Sequence, residues 1–479
     1  MLEKVVMPGY DEHGIERKAK THGAVWPELQ CPDGRKKQTP DQKGNNIMEQ
    51  TLYQNHLAIL EEELQVAMGC TEPIAIAFAA AKARQTLGRM PERCHVKCSG
   101  NIVKNVKGVT VPTSGGLRGI EIAALLGLTG GDADKELAVL TAVTPETRDE
   151  ARRLLGSGLC SCELIEGVAN LYIIVEVEAG DESALVEVVN HHNNITRIEK
   201  NGKTLLQKDA QQEAAEESAC DRSLLNLKNI LQFADEADPA DLAPVLNRQI
   251  EYNSKISAEG LTGKWGAAVG RTLLERQDPP SLELKARACA AAGSDARMAG
   301  CSLPVVINSG SGNQGITITM PVVVYAEALG AGEEQRLRAL ALANLISVHQ
   351  KKYIGSLSAY CGAVSAATGA ACGVAYLKLK GKIPEEELYR VMSDTITNSI
   401  CTIGGMVCDG AKSSCAAKIA AALESAFTGL EMSLKQRVFQ PGEGLTMDNV
   451  EDTIAAVGRM GRVGMKSTDV EILNIMLGH

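Results

Sequence analysis

The sequence predicts an α+β fold: a small α/β domain followed by a larger, mostly helical domain with small-residue-rich helices. Three observations predict it. Alternating apolar segments, the mark of strands, are confined to roughly residues 90–208. Beyond about residue 220, apolar residues recur almost entirely at helical spacing. Aromatics make up 3% of the 479 residues while Gly and Ala are abundant, which suits helices whose backbones approach closely.

Residues 1–47 are polar, rich in Lys, Asp, Gly and Pro, and are expected to be a disordered extension. Residues 48–215 should hold N-terminal helices and the α/β domain, and 216–479 the helical domain. "MEQTLYQNHLAILEEELQVAM" reads as one helix from Met48, stopped at Gly69. In "GCTEP", Thr71 can cap a second helix, Pro73 suits its first turn, and Gly88 ends it.

"RCHVKCSG" reads as a strand and "NIVKNVKGVTVPTSGG" as an irregular connection. "LRGIEIAALLGL" is a helix, and Thr144 and Pro145 open another that closes at Gly156. "NLYIIVEVEAG" alternates as a strand, "DESALVEVVN" reads as a short helix, and "TRIEK-NG-KTLL" as a hairpin. In the second half, segments near 238–257, 333–350 and 384–399 are helical. A glycine-rich loop is expected near 308–315, and "YIGSLSAYCGAVSAATGAACGVAYL" reads as a buried helix pair.

Composition narrows the function. The net charge of −10 argues against a nucleic-acid partner, and no apolar run is convincingly transmembrane. The fourteen cysteines come without a secretory signal, so cytoplasmic thiols, metal ligation or catalysis are better readings than a disulfide framework.

Cys70 stands at an expected helix N-terminus, where the dipole and free N–H groups favour a thiolate. An inert buried cysteine fits the motif as well. Cys361, Cys372, Cys401, Cys408 and Cys415 lie among small-residue helices, and their spacing matches neither a zinc pair nor a ferredoxin run. Three polar glycine loops, "SGNIVKN", "PTSGGLRG" and "NSGSGNQG", could hold a carboxylate or phosphate, or be ordinary turns. His349 and Lys351–Lys352 are equally open between site and solvated helix end.

"GCTEP", "SGNIVKNVKGVTVPTSGGLRG", "CSLPVVINSGSGNQG", "LSAYCGAVSAATGAACG" and "CTIGGMVCDGAKSSCAAK" occur in this order. Together they resemble the L-cysteine desulfidase family, a formerly uncharacterised family related to the iron–sulfur bacterial L-serine dehydratases. The resemblance runs from about residue 48 to the C-terminus. It implies that 216–479 is a serine-dehydratase-alpha-like domain carrying a four-iron four-sulfur (4Fe-4S) cluster held by three cysteines.

The ligands carry over to Cys361, Cys408 and Cys415, with Cys372 the rival for the first and Cys401 outside. The base carries over to Cys70. The loops then supply Ser99, Asn101, Thr113, Ser114, Gly115, Ser309, Gly310 and Asn313 to an amino-acid substrate. The implied activity is β-elimination of L-cysteine to hydrogen sulfide, ammonia and pyruvate. An iron–sulfur L-serine dehydratase is the nearest rival, and a non-catalytic iron–sulfur or redox sensor a rival of another class. The sequence leaves a homodimer open.

Overall fold

The structure, a computed structural model, describes residues 48–208, 220–355 and 357–478. The expected extension over 1–47 and the expected domain boundary at 215 lie outside the described residues.

Helix α1 (Gln50–Glu63) ends early, and β1 (Val66–Met68) replaces the last turn of the single helix expected there. Helix α2 (Thr71–Leu87) follows, with residues 71–81 all buried. Its N-cap is Cys70 rather than Thr71, and Gly88 ends it in the left-handed region, as expected. Strand β2 (Arg93–Ser99) runs directly into α3 (Gly100–Lys107), where an irregular connection is expected. The signal is short, but Ile102, Val103 and Val106 fall at helical spacing and bury together.

Helix α4 (Ile120–Gly130) packs on α2. Helix α5 (Pro145–Ser157) opens on a capping box between Thr144 and Thr147. Five strands follow: β3 (Cys160–Ile165), β4 (Tyr172–Ala179), β5 (Glu182–Val189), β6 (Ile195–Lys200) and β7 (Lys203–Gln207). Their sheet has the order β3-β2-β4-β5-β6-β7, with β2 and β3 parallel and the remaining pairs antiparallel. β5 is the segment expected to be a short helix. Ala184, Val186 and Val188 are buried in alternation, and two-sided pairing fixes it as a strand. The β6–β7 hairpin turns at Asn201 and Gly202, both at positive φ, as the Asn-Gly signal requires.

The helical part comprises α6 (Leu227–Glu236), α7 (Pro239–Gly260), α8 (Val269–Leu274) and α9 (Leu282–Met298). After β8 (Pro304–Val306) come α10 (Gly312–Leu329), α11 (Glu333–Ile354), α12 (Ala363–Leu379), α13 (Glu385–Ile403), α14 (Cys415–Leu434), α15 (Val450–Arg459) and α16 (Lys466–Leu477). β8 pairs antiparallel with β1, Val66 opposite Val306, which explains why the first helix stops short.

The expected glycine loop is correspondingly shorter, because α10 already begins at Gly312. The expected helix pair is one helix, α12. The chain before it is drawn out of helix by an antiparallel bridge between Tyr360 and Val407. Among the described residues, no helix is long and apolar enough to cross a membrane.

Candidate functional site

The site starts from Gly69, which leads β1 into α2. Its φ is +65°, and an added Cβ would lie 2.1 Å from Cγ of Pro112, so the turn accepts only glycine. The carbonyl of Gly69 accepts a bond from Nε of the buried Arg297 at 2.8 Å. This fixes Cys70 at the mouth of α2 in an extended conformation. The Cys70 thiol donates to Oε2 of Glu72 at 2.9 Å, and Nδ2 of Asn105 on α3 donates to Oε1 at 2.9 Å. The Thr71 hydroxyl lies 3.0 Å from the carbonyl of Gly310, its acceptor across to the glycine loop.

The electrostatics correct one expectation. Burial pushes the Cys70 thiol well above its ordinary value, and the Glu72 carboxylate adds to the rise while Arg297 opposes it. The helix terminus does not win, and the resting group is a thiol. Glu72 behaves in the opposite way. Burial opposes its ionisation, yet His192, the bond from Cys70 and Arg297 hold its carboxyl below the usual range. The proton of this pair sits on sulfur.

Cys361, Cys408 and Cys415 are brought together by a second local device. The backbone N–H of Cys361 donates to Met406 O at 2.9 Å, and that of Cys408 to Ala359 O at 2.6 Å, on either side of the Tyr360–Val407 bridge. The chain then turns at Gly410, with φ +88°, where a Cβ would sit 2.3 Å from Lys104 O. Cys415 opens α14, so the two cysteines of "CDGAKSSC" flank a bend and do not share a helix face.

Burial pushes the Cys361 thiol up to about 12, with Cys408 and Cys415 contributing as neighbours. Lys351 is buried beside Cys408 and Cys361, and burial draws it down to about 8. Lys418 reaches the same thiols and also pairs with Asp409.

Cys415 packs, with Ala411, against an apolar cluster of Cys70, Val109 and Met298. The thiol at the start of α2 and the three-cysteine loop therefore face one small region. Cys372 does not belong to it. That residue is wholly enclosed in the core on α12, and burial alone raises its thiol. The Cys401 sulfur accepts from the Thr446 hydroxyl at 3.3 Å. Among the described residues, no three His, Cys, Asp or Glu side chains gather tightly enough for a single metal ion.

The expected substrate residues divide into two groups. Several are committed to their own loops. Ser99 donates to Asn170 O at 2.6 Å, Thr113 lies 2.6 Å from its neighbour's carbonyl, and Ser114 bridges both backbone groups of Leu117. Gly115 lies against Arg152 and Arg148 of α5. Ser309, at φ +49°, donates its backbone N–H to the Glu63 carboxylate, and its hydroxyl donates to Asn308 Oδ1.

Others hold unspent acceptors. The amide oxygens of Asn101, Asn313 and Gln314 are buried without partners. Asn313 touches Met298 of the Cys70 cluster, and Gln314 packs at Gly362 beside Cys361. The first turn of α10 thus lies between the Cys70 cluster and the three-cysteine loop.

Three contributors went unread in the sequence, Glu72, His192 and Arg297, while Asn105 and Gln314 lie in the quoted loops "SGNIVKN" and "NSGSGNQG" without being singled out. Glu72 stands in "GCTEP" itself, where it looks like a first-turn helix charge. His192 lies in "NHHNN", a polar knot between strands and the one visible signal that could have been followed. It lines a cavity of about 1240 Å³ with Ser309, Gly310 and Lys351. Its Nε2 is buried without a partner, and burial lowers its pKa.

Comparison with known proteins shows the family. The family model for the serine dehydratase alpha chain matches residues 134–474. A UPF0597 protein of Lachnoclostridium phytofermentans is 48% identical over 426 residues, covering 89% of this chain and 100% of its own length. UPF0597 proteins of Finegoldia magna and Treponema denticola are 45% and 42% identical, over 88% and 90% of this chain and 99% of their own lengths. With its sheet, its helical part and the two converging cysteine loops, the chain belongs to the serine dehydratase alpha chain family of serine-dehydratase-like enzymes, among the UPF0597 proteins.

Proposed function

We propose that the protein is an L-cysteine desulfidase, eliminating sulfide from L-cysteine and releasing ammonia and pyruvate. The observation that carries the reading is that Cys415, a neighbour of Cys361 and Cys408, packs against the cluster holding Cys70, whose thiol bonds Glu72. The donor set fits a 4Fe-4S cluster: three soft sulfur ligands from two adjoining loops, all free thiols. When bound, the cluster supplies Lewis-acid assistance to departure of the substrate's sulfur.

The protein's own groups handle the proton. Glu72 Oε2 takes the thiol proton of Cys70, and the thiolate so formed takes the substrate's α-hydrogen. The Cα–H pair becomes the Cα–Cβ double bond as the Cβ–S bond breaks, leaving 2-aminoacrylate and hydrosulfide. Tautomerisation and hydrolysis of the imine give pyruvate and ammonium. The buried amide oxygens of Asn313, Gln314 and Asn101 suit the substrate ammonium, which brings the donors they lack. The glycine turn at Gly310, bonded to Thr71, offers backbone N–H groups for its carboxylate.

The family match favours a second reading, an L-serine dehydratase of the same design with water as the leaving group. Anaerobically purified protein should contain iron and acid-labile sulfide and should release sulfide and pyruvate from cysteine. Pyruvate formed faster from serine than from cysteine would select the dehydratase. Iron-free protein with full activity would exclude both.

A further inference from the structure

The parallel edge of the sheet carries four cysteines that this chemistry does not use. Cys94 and Cys98 alternate onto the inner face of β2, and Cys160 and Cys162 onto the same face of β3, the edge strand. Cys94 and Cys98 are buried, while Cys160 and Cys162 are half-buried. The Cys160 thiol neighbours that of Cys94, and the Cys162 thiol that of Cys98. They do not form one tetrathiolate metal site, since no three ligand side chains among the described residues gather around a single point. They form two pairs.

The pairs differ in register. Cys94 lies directly opposite Cys160, whereas Cys162 lies opposite Val96 and Cys98 opposite Leu164. Residues directly opposite on neighbouring strands are about 4.7–4.9 Å apart. That lies inside the roughly 4.4–6.8 Å window of Cα separations a disulfide spans. Both side chains also point to the same face. Cys98 and Cys162 are displaced by two residues, which takes such a pair to about 7–8 Å, where closure needs the backbone to move.

We propose that Cys94 and Cys160 form a dithiol that closes reversibly to a disulfide across the β2–β3 edge, with a low-molecular-weight disulfide as oxidant. One protein thiolate attacks the oxidant, forming a mixed disulfide and releasing one thiol. The second attacks the mixed disulfide at the protein sulfur and releases another. The sum is two protein thiols and one small disulfide going to one protein disulfide and two small thiols. The half-buried Cys160 is the sulfur the oxidant reaches first. The neighbouring Cys94 and burial hold its thiol above the ordinary value, so closure quickens as pH rises. The position matters because β2 continues without a break into α3, whose Asn105 holds Glu72.

The test incubates the purified full chain anaerobically with oxidised glutathione, alkylates the remaining thiols and maps the digest without reduction. The expected product joins the Cys94 and Cys160 peptides with the loss of two hydrogens, and reducing agent separates them. Cys160→Ser should abolish the link and Cys162→Ser should leave it. Two outcomes overturn the proposal. One is Cys94 and Cys160 each alkylated, or each bearing glutathione, under conditions that fully oxidise dithiothreitol. The other is Cys94 joined to Cys162. The wild-type map decides the matter even if a variant fails to fold.

Discussion

The thiol of Cys70 donates to the carboxylate of Glu72 across 2.9 Å, within the first turn of a helix whose residues 71–81 are all buried. Thiol and carboxylate therefore act as one proton-holding unit. Glu72→Gln should lower turnover of cysteine by about 10²–10⁴ while leaving iron content unchanged, the usual loss for a general base. Cys70→Ala should do the same and should abolish exchange of the substrate α-hydrogen with solvent deuterium. Wild-type turnover in Glu72→Gln would show that the carboxylate does not receive the proton.

Iron analysis separates the cysteines. Cys361→Ala, Cys408→Ala and Cys415→Ala should each lose the brown absorbance, because losing one of three thiolates leaves a cluster labile. Cys372→Ala should keep it and lose only stability, on the order of 1 kcal/mol for a small core truncation. Iron lost from Cys372→Ala and kept in Cys361→Ala would reverse the assignment.

The C-terminal helix is held by a buried ion pair. Lys104 of α3 is almost completely enclosed and pairs with Asp469 of α16, and Lys107 donates to the carbonyl of Met476. Asp469→Ala would strand the Lys104 charge, and breaking such a pair costs about 3–5 kcal/mol. Urea unfolding measures this. The double variant Lys104→Met, Asp469→Ala should recover part of the loss, and a loss below about 1 kcal/mol in the single variant would mean water reaches the lysine.

Three histidines, the buried His56 and His349 and the cavity-lining His192, should make the protein acid-sensitive. His56 is enclosed against Phe233, its Nδ1 bonded to Leu52 O at 2.8 Å and its Nε2 without a partner. Burial holds it below the ordinary 6.5, and burial also lowers His349 despite its 2.6 Å contact with Glu451. A depressed histidine takes up fewer protons folded than unfolded, so its contribution is present above pH 6.5 and is lost as pH falls below it. Tm should therefore drop from pH 6.5 towards mildly acid pH, less steeply in His56→Leu. An unchanged slope in that variant would remove His56 from the account.

The sequence by itself determined the class of fold and the local devices. Thr144 and Pro145, Gly88, and the Asn201-Gly202 turn are read correctly because caps and turns depend on residues within one turn of each other. The order of the motifs likewise carried the family resemblance. Tertiary structure decided what depends on distant partners. β1 is a strand because β8 pairs with it, β5 because β4 and β6 flank it, and residues 359–361 leave helix because 406–408 bridge to them. The same holds for the site. A helix N-terminus favours a thiolate in isolation, but burial and Glu72 outweigh it at Cys70, and neither burial nor the approach of Cys415 is encoded near residue 70. Cys361 and Cys372 look alike in a small-residue run. The bridge to Met406 puts one beside Cys408, and the core encloses the other, because only packing distinguishes a helix's approach from its middle.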